Sequence, residues 1–305
     1  MTLLAPAIDQ FIPNTEIRCI DWFIDNVQTD KGRPYDHGAY PHIGAPGGPC
    51  DAADDHYVLT IALQWASRLG KTFFGQCLTC YYGSTDPRPM MFASADRKLA
   101  TDVISRTYRM VDRCRPLRHE LLPKHLRTQD RVELTHCTMY VAWSRSVSTL
   151  ADKSVQYGHA NEVSKWEQQT TSREGDPVKL FSDRGKEFPT RLFLYESTPQ
   201  EKRRCRVEKH RLASTNCQLQ VPCPHCEKYQ ELEFTRGDEK HGIKWEKDEA
   251  GKSDKEIARQ TAHYVCKHCL KKIEDHDRPW MMRRGVWVPD GCQVKDKLAM
   301  KAAIK

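Results

Sequence analysis

Residues 64–72 read Gln-Trp-Ala-Ser-Arg-Leu-Gly-Lys-Thr, and their flanks make a strand before them and a helix after them. The run 57–63, Tyr-Val-Leu-Thr-Ile-Ala-Leu, is rich in β-branched and aromatic residues and predicts a strand. Residues 72–83 carry apolar side chains near helical spacing and predict a helix stopped by Gly83 and Pro87. A strand leading through Gly70-Lys71-Thr72 into a helix turns successive backbone N–H groups toward a polyphosphate. It sets the lysine ammonium against the outer phosphates and offers the threonine hydroxyl to Mg²⁺. The glycine that usually opens such a loop is Trp65 here. A Gly-Lys-Ser/Thr tripeptide arises by chance in roughly one chain of this length in six, so the loop alone does not decide the matter.

The rest of the chain sets limits. Its 305 residues can bury a core of about 200 and still hold a second small module. The 48 Lys+Arg against 41 Asp+Glu leave a net charge of +7, compatible with a polyanionic partner without requiring one. No apolar run approaches the ~18 residues that span a bilayer, so no membrane role is expected. The start, MTLLAPAIDQFIP, lacks the basic opening and long apolar stretch of a secretory signal. The 13 cysteines are therefore expected in a reducing compartment, and their odd number argues against a complete disulfide framework.

Four cysteines carry a second signal. Cys223-Pro-His-Cys226 and Cys266-Lys-His-Cys269 are two CxxC knuckles, and each can present two thiolates to a tetrahedral Zn²⁺. Strand-like segments at 229–234, 242–246 and 263–266 suit a zinc ribbon of β-hairpins. Four thiolates leave no open position, so the metal would be structural. A redox pair is the competing reading, and His225 or His268 could replace a neighbouring cysteine. Cys77-Leu-Thr-Cys80 has the same spacing but falls on the helix behind the phosphate loop, where small buried cysteines simply pack.

An ATPase also needs an acid. Residues 89–93 predict a short buried strand and 95–114 a helix, while 131–143 alternate as a hairpin or two short strands. The segment VQYGHANEV then reads as a strand ending at Asn161-Glu162. Glu162, one position past a central strand, is the candidate catalytic base that polarises water against the γ-phosphate. An acid in a solvent loop is the alternative. Asn161 precedes it, where an aspartate normally sits near Mg²⁺, and a neutral amide holds a hard cation less well. TRLFLYESTPQ (190–200) is an apolar strand that breaks at Ser197-Thr198-Pro199, a polar strand end able to sense a phosphate, or an ordinary turn.

Taken in order, PYDHGAYPHI (34–43), QWASRLGKT, ANEV, ESTP, and VPCPHC with YVCKHC resemble the lambda-type, GpA-like branch of phage terminase large subunits, over roughly residues 15–290. In that family the missing first glycine is ordinary and an arginine within the loop recurs, which falls on Arg68. The resemblance implies a P-loop NTPase of the additional-strand type, an α/β fold with a parallel sheet flanked by helices, followed by the zinc ribbon. It implies a motor that hydrolyses ATP to drive viral DNA into a procapsid, with Mg²⁺ and structural Zn²⁺ as cofactors.

By the same resemblance, Ser67, Gly70, Lys71 and Thr72 would hold the nucleotide, Thr72 and Asn161 would flank Mg²⁺, and Arg68 would touch the transition-state charge. Glu162 would activate water, and Ser197, Thr198 and Pro199 would couple hydrolysis to movement. Tyr35, with Pro34 and Tyr40 nearby, matches the region beside the adenine. Implied partners are double-stranded viral DNA, a small terminase subunit, the portal of the procapsid and further copies of the chain. The implied place of action is the cytoplasm of the bacterial host.

The expected layout is an N-terminal segment at 1–33, the packaging ATPase at 34–212, the ribbon at 213–290 and a basic tail at 291–305. The family continues into a ribonuclease-H-like nuclease, and the tail resembles none of it, so a truncated or prophage-derived fragment is expected. Arg203, Arg204 and Arg206, in EKRRCRVEKHR, could contact DNA, although the interleaved glutamates favour a solvated surface. A non-catalytic zinc-ribbon remnant, serving nucleic-acid binding or assembly and binding nucleotide without hydrolysing it, is the alternative function. A two-motor helicase ranks last, because the chain has no room for a second motor domain.

Overall fold

The computed structural model describes residues 17–166, 175–201, 205–234 and 239–294. These fall into two units: residues 17–37 with 49–215 form the first, and 38–48 with 216–294 form the second.

The first unit alternates strands and helices: α1 (Cys19–Asn26), α2 (Pro49–Asp54), β1 (Thr60–Gln64), α3 (Lys71–Thr85), β2 (Met90–Ser94), α4 (Arg97–Arg113), β3 (Arg131–Glu133), β4 (Thr138–Trp143), α5 (Val147–Ala151), β5 (Tyr157–Asn161), α6 (Pro177–Asp183), β6 (Leu192–Ser197) and α7 (Arg206–Leu212). Such alternation builds a sheet whose helical crossovers cover both faces, so its central strands lose the polar alternation of a half-exposed strand. All residues of β2, β5 and β6 are indeed buried.

The sheet runs β1-β6-β5-β2-β4-β3 and is parallel throughout except at its edge, where β3 pairs antiparallel with β4 as the hairpin reading of 131–143 predicts. β6 lies between the phosphate-loop strand β1 and β5. Register sets Gln64 opposite Ser197 and Asn161 opposite Glu196, so the C-terminal ends of three strands meet beside the loop.

On one face, Met91, Val163, Trp166, Phe181, Phe193 and Tyr195 form a core with Val207 of α7. α3 covers β5 and β6 from the other side: the Tyr157 hydroxyl donates to the Gly75 carbonyl at 3.3 Å, the Tyr82 ring lies 5.2 Å from that of Tyr157, and Thr72 bonds Glu196. Phe74, Cys77, Leu78 and Cys80 of the same helix are all at 0% exposure. Cys77 and Cys80 are thus packing residues of a core helix, as their spacing on one helical face suggested. α1 adds Trp22 and Phe23, whose rings lie 5.6 Å from Tyr81 and 6.2 Å from Phe74. The segment before residue 33 therefore contributes to the first unit's core. α3 comes close to the sheet at Gly75, where a Cβ would fall 2.1 Å from His159 Cε1.

The second unit holds β7 (Gln218–Pro222), β8 (Tyr229–Glu231), β9 (Gly242–Lys244), α8 (Lys255–Thr261), β10 (His263–Val265), β11 (Lys272–Ile273), α9 (Arg278–Met282) and β12 (Val286–Val288). Its strands form two antiparallel sheets, β12-β7-β8 and β11-β10-β9. α8 falls in the lysine-rich stretch that sequence treats as irregular. Asp254 starts it by accepting from the backbone N–H groups of Glu256 and Ile257 at 2.8 and 3.0 Å. Residues 38–48 join this unit through Trp287, whose Nε1 donates to the His42 carbonyl at 2.7 Å and whose N–H donates to Pro46 at 2.9 Å. Among the described residues, no helix is long and apolar enough to cross a membrane.

Candidate active site and metal centre

The phosphate loop leaves β1 at Gln64 and ends at the first residue of α3. Two left-handed residues shape it, Arg68 at φ 66° and Gly70 at φ 79°. Glycine adopts that conformation freely, whereas an arginine there is held against its preference, a strain found mostly at functional sites. Left-handed Gly70 followed by helical Lys71 makes a concavity of backbone N–H groups at the positive end of a 15-residue helix. Ser67 and Arg68 are exposed on the loop, while Lys71 is buried and its Nζ donates to the Ala66 carbonyl at 3.2 Å. The loop is closed on its own lysine, and its donors fit a polyphosphate.

Thr72 reaches the strand ends. Its Oγ1 donates to Glu196 Oε1 at 2.8 Å and accepts from Asn161 Nδ2 at 3.0 Å, and Asn161 Nδ2 also donates to Glu196 Oε1. Ser94 Oγ donates to Asn161 Oδ1 at 3.1 Å, which fixes the amide with its nitrogen toward the acid. Glu196 is fully buried, and its Oε2 has no hydrogen-bond partner among the described residues. His159 Nε2 lies 3.5 Å from Glu196 Oε1. Sequence reasoning passed over Glu196, although it stands in the ESTP motif. An acid inside an otherwise apolar strand, LFLYES, is the signal that could have found it, because lone buried carboxylates are rare.

Glu162 follows β5 in a left-handed conformation, φ 49° and ψ 45°, and is partly exposed. Ser197 Oγ donates to its Oε2 and Thr198 Oγ1 to its Oε1, each at 3.3 Å, and Lys165 Nζ lies 3.5 Å from Oε2. The end of β6 therefore grips the side chain that sequence named as base. Trp166 anchors the turn by donating to the Asn161 carbonyl at 3.0 Å. Exposed Pro199 follows this grip.

Other sequence candidates lie elsewhere. Tyr35 is buried, its ring stacked on Phe73 at 5.9 Å and tilted against Phe23 at 5.7 Å, so it packs between two phenylalanines beside the start of α3. Pro34 is exposed in the same unit, and Tyr40 belongs to the second one. Arg206 is largely buried and bonds Asp176 at 2.6 Å, the residue that caps α6, so its charge already has an acidic match. Arg203 and Arg204 lie outside the described residues.

The four cysteines of the knuckles converge, with all Sγ atoms within 4.8 Å of one another. Cys223 and Cys269 are 3.8 Å apart and Cys226 and Cys266 3.9 Å, close to the ~3.8 Å edge of a tetrahedron with ~2.3 Å bonds. The donor set fits Zn²⁺. The knuckles match each other: Cys223 N–H donates to Lys228 O and Cys266 N–H to Lys271 O, and the residues before those lysines, Glu227 and Leu270, are left-handed at φ 56° and 57°.

His225 and His268 are turned away from the sulfurs. Their Nε2 atoms meet the carbonyls of Lys272 at 2.8 Å and Tyr229 at 3.1 Å, while their backbone N–H groups donate to Cys223 and Cys266 Sγ at 3.4 and 3.3 Å. The histidines thus clamp each knuckle to the opposite hairpin, and the second ligand set that sequence left open does not form. Burial pushes the Cys223 thiol up to about 12. At Cys266 burial acts upward as well, but the backbone N–H groups of Cys269 and His268 and the neighbouring thiols bring it to about 7.

The comparisons bear on the same residues. The family model for the phage terminase large subunit gpA, ATPase domain, matches residues 37–287. The terminase large subunit of Enterobacteria phage P21 is 23% identical over 94% of this chain and 45% of its own length, so the chain spans about half of that relative. Among solved structures, the large terminase of a thermophilic bacteriophage has a TM-score of 0.35 at 12% identity, covering 52% of this chain and 37% of that one. The ATPase domain of the Thermus phage P74-26 large terminase, in an arginine-to-alanine mutant, has a TM-score of 0.40 at 11% identity, covering 60% and 72%. With a family model matched over most of its length, the chain belongs to the phage terminase large subunit gpA family, in its ATPase domain.

Proposed function

We propose that this chain is the ATP-hydrolysing motor part of a terminase large subunit and drives double-stranded viral DNA into a procapsid. The observation that carries the reading is the grip on Glu162, which joins the candidate base to the end of the strand beside the phosphate loop. In this reading Ser67, Gly70 and Lys71 hold the phosphates, and Arg68 meets the charge that develops on the γ-phosphate. Bound Mg²⁺ would neutralise the β- and γ-phosphate oxygens, with Thr72 holding it. Glu162 orients and deprotonates the attacking water. When its charge pattern changes, Ser197 and Thr198 receive the change through their hydrogen bonds, and the turn at Pro199 carries it toward α7.

The strand between β1 and β5 supports the additional-strand class of P-loop NTPases, and the paired knuckles support a zinc ribbon. The small terminase subunit, the portal, further copies of the chain and the host cytoplasm come to this chain from the family. Asn161 favours a second reading, a module that binds nucleotide without turning it over.

The test is DNA-stimulated ATP hydrolysis by the full chain. Lys71→Ala is expected to abolish binding and hydrolysis together. Glu162→Gln is expected to keep nucleotide binding while lowering turnover by about 100-fold or more. Turnover unchanged by both substitutions would overturn the motor reading, and binding without turnover in the parent chain would select the second.

A further inference from the structure

We infer that Glu196 supplies the acidic charge of the Mg²⁺ site, and that neutral Asn161 is its positioning residue. The inference rests on the nucleotide-site reading above.

The threonine hydroxyl of a phosphate loop marks where the cation is held, and Thr72 Oγ1 is bonded to the Glu196 carboxylate at 2.8 Å. Asn161 brings only an amide to that hydroxyl, at 3.0 Å. Hard divalent cations prefer anionic oxygen ligands, and Glu196 is the carboxylate in contact with Thr72 among the described residues.

Asn161 has a defined part beside it. Its Oδ1 is taken by Ser94 at 3.1 Å, so its Nδ2 faces outward and holds both Thr72 Oγ1 and Glu196 Oε1. A carboxylate at 161 would confront the one at 196 with no proton between them. The register of β5 and β6 thus couples the two positions: an amide at one suits an acid at the other.

Glu196 Oε2 shows that the internal partners do not complete this group. It is fully buried and has no hydrogen-bond partner among the described residues, a costly state for a carboxylate oxygen unless a cation meets it. His159 does not meet that need. Its Nε2 stands 3.5 Å from Oε1, the oxygen already shared by Thr72 and Asn161, and it too has no hydrogen-bond partner among the described residues.

The experiment measures Mn²⁺ binding to the full chain with ADP by electron paramagnetic resonance, alongside binding of a fluorescent ADP in EDTA. Glu196→Gln is expected to weaken Mn²⁺ by about tenfold or more while leaving metal-free nucleotide binding unchanged. Moving the acid, in the double variant Asn161→Asp with Glu196→Gln, is expected to restore Mn²⁺ affinity. A merely structural Glu196 would show instead as weakened binding in EDTA, a lowered melting temperature and no rescue by the double variant. That pattern overturns the inference, as does Mn²⁺ affinity unchanged in Glu196→Gln. If the parent chain binds nucleotide through Lys71 with dependence on Mn²⁺ but without dependence on Glu196, only the role of Glu196 falls. If the parent does not bind nucleotide, the site reading falls with it.

Discussion

Single residues decide how closely the helix behind the phosphate loop sits on the sheet. Gly75 and Gly83 both lie within α3, so alanine gains the same intrinsic helix propensity at each, about 1 kcal/mol. They differ in what a methyl group meets. At Gly75 it would fall 2.1 Å from the His159 ring, which is 1% exposed and edge-on to Phe92 at 5.0 Å and so has nowhere to move. At Gly83 the nearest atom is a Leu134 methyl at 3.1 Å, the end of a flexible side chain. Gly75→Ala is therefore expected to cost about 1–3 kcal/mol, while Gly83→Ala stays near the parent; urea unfolding of the two variants makes the comparison. At this scale the GKT tripeptide, the acid after β5 and the paired knuckles were all visible in sequence. Glu196 was overlooked because its neighbours in the chain, Tyr195 and Ser197, give no hint that Thr72 will be its partner.

At the scale of elements, α7 docks on β6 through His210, whose ring stacks on Tyr195 at 4.0 Å and 9°. Burial is the main cause that depresses its pKa below the ordinary value; Asp176 opposes the shift and Arg206 adds to it. The folded state prefers the neutral ring, so the stability it contributes is fully present above the unfolded pKa near 6.5. That contribution is lost as the pH falls from there through the folded pKa, because the unfolded chain then binds the proton more readily. Urea midpoints taken from about pH 7.5 down to about 5.5 are expected to fall for the parent and to fall less for His210→Gln. An equal slope in both would show that other groups set it.

Elements were the most legible level in sequence. Apolar runs announced β1, β2, β5 and β6, and helical spacing announced α3 and α4. What escaped was short or polar, such as α8, whose one signal is the cap Asp254, and β7 and β12, whose pairing joins residues far apart in the chain.

At the scale of the whole molecule, the buried cluster of the second unit is small among the described residues: Val221, Cys223, Cys266, Ile273 and Met281 with a few partly buried neighbours. A unit so poor in apolar burial draws its order from the cysteine cluster if that cluster holds metal. The chain is expected to contain about one zinc ion, lost on Cys266→Ser or on strong chelation. Stripping it should speed amide exchange at the two knuckles, while β5 and β6, whose burial owes nothing to the cysteines, keep their protection. Purified chain without zinc and with knuckle amides already protected would contradict this.

The sequence by itself determined what a few neighbouring residues can enforce: a strand, a left-handed glycine and a helix around GKT, two pairs of thiolates at metal spacing, an acid at the end of a strand. These follow from backbone geometry over one or two turns. Tertiary structure alone decided that residues 38–48 belong with the second unit and that β6 runs between β1 and β5. It also brought Thr72, Asn161 and Glu196 together from separations of 124, 89 and 35 residues. Those outcomes depend on which strands pair and in what register, a choice settled by burial of the whole sheet and written in no local stretch of the chain.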